Sequence, residues 1–132
     1  MTTSDLPAEG QSDVPNDSTE APFDDVITLS TSTGEDGVVT VTVVGEVDTF
    51  TAPVLRSSLD TQLEQQPREL VIDLSGVQFL GSAGLAVLVE TQKSSRAREV
   101  ALRLIATTRA VTRPLEVTGL IDLFTIADST AR

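Results

Sequence analysis

The sequence predicts a single α/β domain built on a mixed, mostly parallel sheet of about four to five strands. Three observations predict it. Short runs rich in Val, Ile and Thr alternate with longer stretches of helical periodicity from residue 26 onward. Strand–helix–strand succession implies parallel crossovers, and a turn-bounded pair of strands at the start implies an antiparallel hairpin. The length of 132 residues suits one domain, and apolar residues make up 39% of it.

The elements run in order along the chain. Residues 27–32 and 38–44 flank the turn formed by Gly34, Glu35, Asp36 and Gly37 and read as the hairpin. After Gly45-Glu46-Val47-Asp48, the segment FTAPVLRSSLDTQLEQQ places Leu55, Leu59 and Leu63 four residues apart, an amphipathic helix ending before Pro67. Residues 70–74, LVIDL, are a continuous apolar run suited to a strand buried on both faces. A loop is expected next, with a turn at Leu80-Gly81. A helix then runs from about Ser82 to Arg96, with Lys93, Arg96 and Arg98 near its negative end. Residues 100–106 form another buried strand. Residues 109–118 read as a helix stopped by Gly119, on the condition that Pro114 lies in its first turn. Residues 124–127 supply a last short strand.

Ahead of these elements, residues 1–25 hold Asp5, Glu9, Asp13, Asp17, Glu20, Asp24 and Asp25, three prolines and no Lys or Arg. They read as a disordered acidic tail, with the folded domain over 26–132. The tail carries seven of the net eleven negative charges, leaving thirteen acidic against nine basic side chains in the rest.

Composition closes several function classes. A chain of net charge −11 is repelled by phosphate backbones and anionic lipid, which argues against nucleic-acid and membrane partners. Aromatics are 3%, with no Trp or Tyr, so base stacking has little to work with. The chain has no Cys and no His. Disulfides, thiolate nucleophiles, sulfur or imidazole zinc sites and the commonest general base are therefore absent, and no cofactor or metal is expected. The N-terminus shows neither a basic n-region nor an apolar h-region, so the expected location is the cytoplasm.

The most informative stretch is DLSGVQFLGSAGLAVLV, residues 73–89. A buried strand leads to Gly81-Ser82-Ala83-Gly84, and a strongly apolar helix comes next. As an N-cap, Ser82 would sit where free N–H groups and the helix dipole both favour a phosphate. Gly81 and Gly84 leave bare backbone that a partner could approach. The same residues also fit an ordinary capped helix without regulatory meaning. The G-x-S-x-G nucleophile elbow is excluded because that chemistry needs a His. Glu46 and Asp48 end the second strand, on the sheet edge that would also carry Ser82. Asp48 or Thr49 would equally serve to N-cap the first helix. Asp73 and Ser75 read as strand-end and turn residues.

Taken together, GEVDTFTAPVLR at 45–56, LVIDLSGVQFLGSAGLAVLV at 70–89 and VTGLIDLF at 117–124 resemble the STAS domain family, and within it the bacterial anti-sigma factor antagonists. The resemblance spans about residues 26–128. It implies a sheet backed by helices on one face and a protein that binds instead of catalysing. It further implies an anti-sigma factor partner, a serine kinase of the GHKL ATPase type, whose capture frees a sigma factor for transcription. Phosphorylation at Ser82, reversed by a phosphatase, would switch binding off, and Glu46, Asp48, Thr49, Gly81, Ala83, Gly84 and Leu85 would join Ser82 in partner contact. The family commonly carries Asp where this chain has Gly81. An alternative within the family is an interaction module without a phospho-switch, such as a lipid-transport subunit or a stressosome-type scaffold.

Overall fold

The computed structural model describes residues 27–127. The acidic segment assigned to a disordered tail lies outside the described residues. The elements run β1 (Ile27–Thr33), β2 (Val38–Val47), α1 (Ala52–Glu64), β3 (Glu69–Leu80), α2 (Ser82–Ala97), β4 (Ala101–Ile105), α3 (Arg109–Val117), a 3₁₀ turn (Ile121–Leu123) and β5 (Thr125–Ala127). The strands lie side by side in sequence order. β1 pairs antiparallel with β2, and every later pairing is parallel. The predicted hairpin and crossovers are thus present.

Each parallel crossover steps one strand along in the same direction, so right-handed connections bring all three helices to one face. Val39, Val41 and Val43 of β2 alternate onto that face, as do Leu70, Ile72 and Leu74 of β3 and Leu102 and Leu104 of β4. They form one core with Leu55, Leu59 and Leu63 of α1, Leu85 and Leu88 of α2, and Val111 and Leu115 of α3. The four-residue leucine spacing read from the sequence is the inner stripe of α1.

Two expectations are corrected. The loop expected after residue 74 is instead strand, because β3 continues to Leu80. Asp73 Oδ1 accepts hydrogen bonds from Ser75 N–H (3.0 Å) and Ser75 Oγ–H (2.6 Å), so the turn-forming residues close a local bulge within the strand and do not end it. The register slips twice, between Thr42 and Val44 and between Gly45 and Glu46, each time with one more residue on β3 than on β2. The first slip turns Val77 to the core and the second returns Leu80 there, leaving Phe79 outside at 50% exposure. The second correction concerns Pro114, which lies inside α3 and not in its first turn. Val111 and Leu115 are fully buried on either side of it, and that burial holds a nine-residue helix together despite the missing N–H. Gly119, at φ +76°, stops α3 as expected.

The α1–α2 seam separates two kinds of contact by magnitude. Leu59→Ala, at a fully buried position, should cost about 2–5 kcal/mol of unfolding free energy in a urea titration. Arg56 pairs with Glu90 at 2.9 Å, but the two side chains are 47% and 58% exposed, so Arg56→Ala should cost less than about 1 kcal/mol.

Candidate functional site

The parallel register of β2 and β3 sets Val47 opposite Leu80, so both strands finish at one sheet edge. The segments leaving the two strands therefore meet there: the turn over residues 48–51 after β2, and Gly81 with the start of α2 after β3. Gly81 N–H donates to Val47 O at 2.9 Å, joining the two. An open depression of about 210 Å³ results, lined by Asp48, Thr49, Phe79, Gly81, Ser82 and Ala83. The expectation that Asp48 lies near Ser82 agrees with this geometry.

The turn after β2 is closed from within. Asp48 Oδ1 accepts from Phe50 N–H (2.9 Å) and Thr51 N–H (3.0 Å), while Asp48 O accepts from Ala52 N–H (2.8 Å). Thr51 Oγ1 donates to Glu46 O (2.8 Å) and accepts from Asp48 N–H (2.9 Å). The N-cap of α1 is therefore Thr51, with Pro53 in the first turn, and neither Asp48 nor Thr49. Asp48 pre-orders the turn ahead of the helix, which leaves it only half-buried at the rim. Thr51, 1% exposed, is not among the residues singled out by sequence. No periodicity marks it, because its role is set by two strand-end carbonyl and amide groups.

At the other wall, Gly81 is the N-cap of α2 and Ser82 is its first residue, so Ser82 is not the cap. The extended backbone at residue 81, ψ −177°, places the chain's entry one residue earlier than the serine. As a consequence the Ser82 hydroxyl caps no backbone N–H and is exposed at the positive end of a 16-residue helix.

The remaining expected contact residues divide. Ala83 and Gly81 both line the depression. Glu46 is exposed on β2 opposite Phe79 and lies outside the lining. Gly84 and Leu85 are buried, so their place is beneath the surface and not on it. A Cβ on Gly84 would meet Leu80 Cδ1 and Val47 Cγ1, both at 2.6 Å. The bare backbone at 84 therefore serves the approach of α2 to the strand ends and not the approach of a partner. Phe79 escapes the sequence reading too; its one signal is an aromatic residue in a chain with four Phe and no Trp or Tyr.

Among the described residues no group of three or more carboxylates could hold a metal ion, and no helix is long and apolar enough to cross a membrane. Only Asp48 among the lining residues is ionisable. The arrangement offers a hydroxyl, bare backbone, one carboxylate and one ring: groups suited to contact and to accepting a modification.

Comparison with known proteins places this site in context. The STAS domain family model matches residues 31–132. The chain is 34% identical over 100 residues to the anti-sigma-F factor antagonist RsfB of Mycobacterium tuberculosis, covering 76% of this chain and 80% of that one. It is 37% identical over 84 residues to the anti-sigma-B factor antagonist of Listeria monocytogenes, covering 64% and 74% respectively. A crystal structure of an anti-sigma factor antagonist from Mycobacterium paratuberculosis superposes with a TM-score of 0.74 at 38% identity, over 85% of this chain and 92% of that one.

Two substitutions test how the site is built. Gly84→Ala forces a methyl group between Val47 and Leu80 and should lower the unfolding free energy by about 1–3 kcal/mol. Thr51→Val keeps the shape but leaves Asp48 N–H and Glu46 O without their partner, at a cost of about 1–3 kcal/mol. Chemical denaturation of both variants reads these losses directly.

Proposed function

This chain belongs to the STAS domain family, and from that premise we propose that it is an anti-sigma factor antagonist switched by phosphorylation of Ser82. In its unmodified form the chain binds an anti-sigma factor through the surface around the depression, and the sigma factor held by that partner is released to direct transcription in the cytoplasm. The partner is a serine kinase of the GHKL ATPase type, and a phosphatase restores the unmodified form. Residues 1–25, acidic and without Lys or Arg, stand outside the binding domain in this reading.

The observation that carries this reading is the Ser82 hydroxyl: exposed, capping nothing, and first in a long helix. Being uncommitted, it can be modified without breaking a hydrogen bond of the fold. A phosphoryl group there adds about 1.5 to 2 negative charges at neutral pH. The helix N-terminus tolerates that charge, so the domain stays folded. The docking surface does not stay the same, because the new charge joins Asp48 in one depression and must be desolvated or matched on contact. Affinity falls while stability holds.

Incubation of the purified chain with its anti-sigma kinase and ATP should add the mass of one phosphoryl group, and Ser82→Ala should abolish the gain. Ser82→Asp should weaken association with the anti-sigma factor more than tenfold, at about 1.4 kcal/mol per decade, with the unfolding midpoint unchanged. Mass gain that persists in Ser82→Ala, or equal affinity of the Asp variant, would place the switch elsewhere. Binding with no mass gain at all would favour the module without a phospho-switch.

A further inference from the structure

We infer that Phe79, seated on the bare backbone of Gly81, is the apolar anchor by which the partner recognises this site, so that the partner offers an apolar pocket beside the Ser82 hydroxyl. The inference rests on the docking role proposed above and names the partner chemistry that it requires.

The geometry of residue 81 is the starting point. A Cβ built there would lie 3.0 Å from Phe79 Cε2 and 3.3 Å from Phe79 Cζ. Such contacts are tighter than ordinary packing, so a side chain at residue 81 would push the ring aside by a few tenths of an ångström, and the bare backbone lets the ring lie against it without that strain. The ring thereby becomes a wall of the depression that Ser82 lines. It is nonetheless 50% exposed, although burying an aromatic ring stabilises a fold strongly and this chain has few such rings. Of the three Phe residues among those described, Phe124 is buried in the core, whereas Phe50 and Phe79 are exposed at this edge. Phe50 stands at 66% exposure in the turn whose Asp48 and Thr49 line the same depression, and Val54, 51% exposed, comes next in the first turn of α1. Exposed aromatic side chains clustered at a concave site are the usual anchors of protein recognition.

Charge decides the occupant. Glu46 and Asp48 rim the ring with negative charge, and no Lys or Arg lines the depression. A second copy seated on this face by a two-fold axis would bring acidic rims together. Residues 1–25, with seven carboxylates and no Lys or Arg, carry the same sign of charge and so do not complement it. The surface that fits is a different protein presenting an apolar pocket bordered by basic groups.

Two measurements test this. Two-dimensional NMR of the free chain should show the Gly81 Hα resonances displaced by the ring current of Phe79, and Phe79→Ala should move them back; Hα shifts that do not respond would overturn the seat. Binding is then measured against the anti-sigma factor that the wild-type chain binds. Phe79→Ala should weaken it at least tenfold. Gly81→Asn, which crowds the ring without adding charge, should weaken it in the same direction and by less. The double variant should be no weaker than Phe79→Ala alone, since both changes act through the same ring. Additive losses would mean that residue 81 acts on its own and would overturn the seat. Unchanged affinity of Phe79→Ala alongside normal wild-type binding overturns the anchor while the docking role stands. Absence of wild-type binding overturns the docking role itself.

Discussion

Val47 holds the junction that every other feature of the site presupposes. Its carbonyl accepts the Gly81 N–H at 2.9 Å, and its side chain fills the space that a Cβ on Gly84 would need. One residue at the end of β2 thus fixes both the entry point of α2 and the depth to which that helix sinks against the strands. Backbone groups make the first contact and a fully buried side chain makes the second. The relation between the Asp48 turn and Ser82 is therefore set by the sheet and not by flexible surface groups.

Around that junction, the local polar chemistry goes into building shape. Asp48 and Thr51 commit their side chains to backbone groups of residues 46–51, which makes the turn a rigid rim. Ser82 commits nothing. On the proposed reading, that contrast lets a small acidic domain without His or Cys act as a switch: one free hydroxyl stands on a surface whose neighbouring polar groups are fixed, so an added charge would alter recognition and leave folding alone.

Much of this is legible in residue order. Hydrophobic periodicity marks α1, α2 and the core strands, because 3.6-residue and two-residue spacings report directly which face is buried. The GEVD and LGSAGL segments can be assigned to one sheet edge, since parallel strands end together. Boundaries are harder. Asp73 and Ser75 carry the signature of a strand end and turn, yet their local closure is absorbed into a strand whose register slips twice. Pro114 has the look of a first-turn residue, yet burial of Val111 and Leu115 outweighs its lost hydrogen bond.

Composition, pattern and motif spacing are enough to establish an α/β domain, the family it resembles and the segments that meet at the candidate site. Those properties are local or cumulative along the chain. Which residue caps each helix, why Gly84 is bare and where the Phe79 ring rests are decided only in three dimensions. Each depends on a contact between segments far apart in the chain, Val47 with Gly81 and Gly84, or on a register slip between β2 and β3. No spacing within a single segment encodes such a contact.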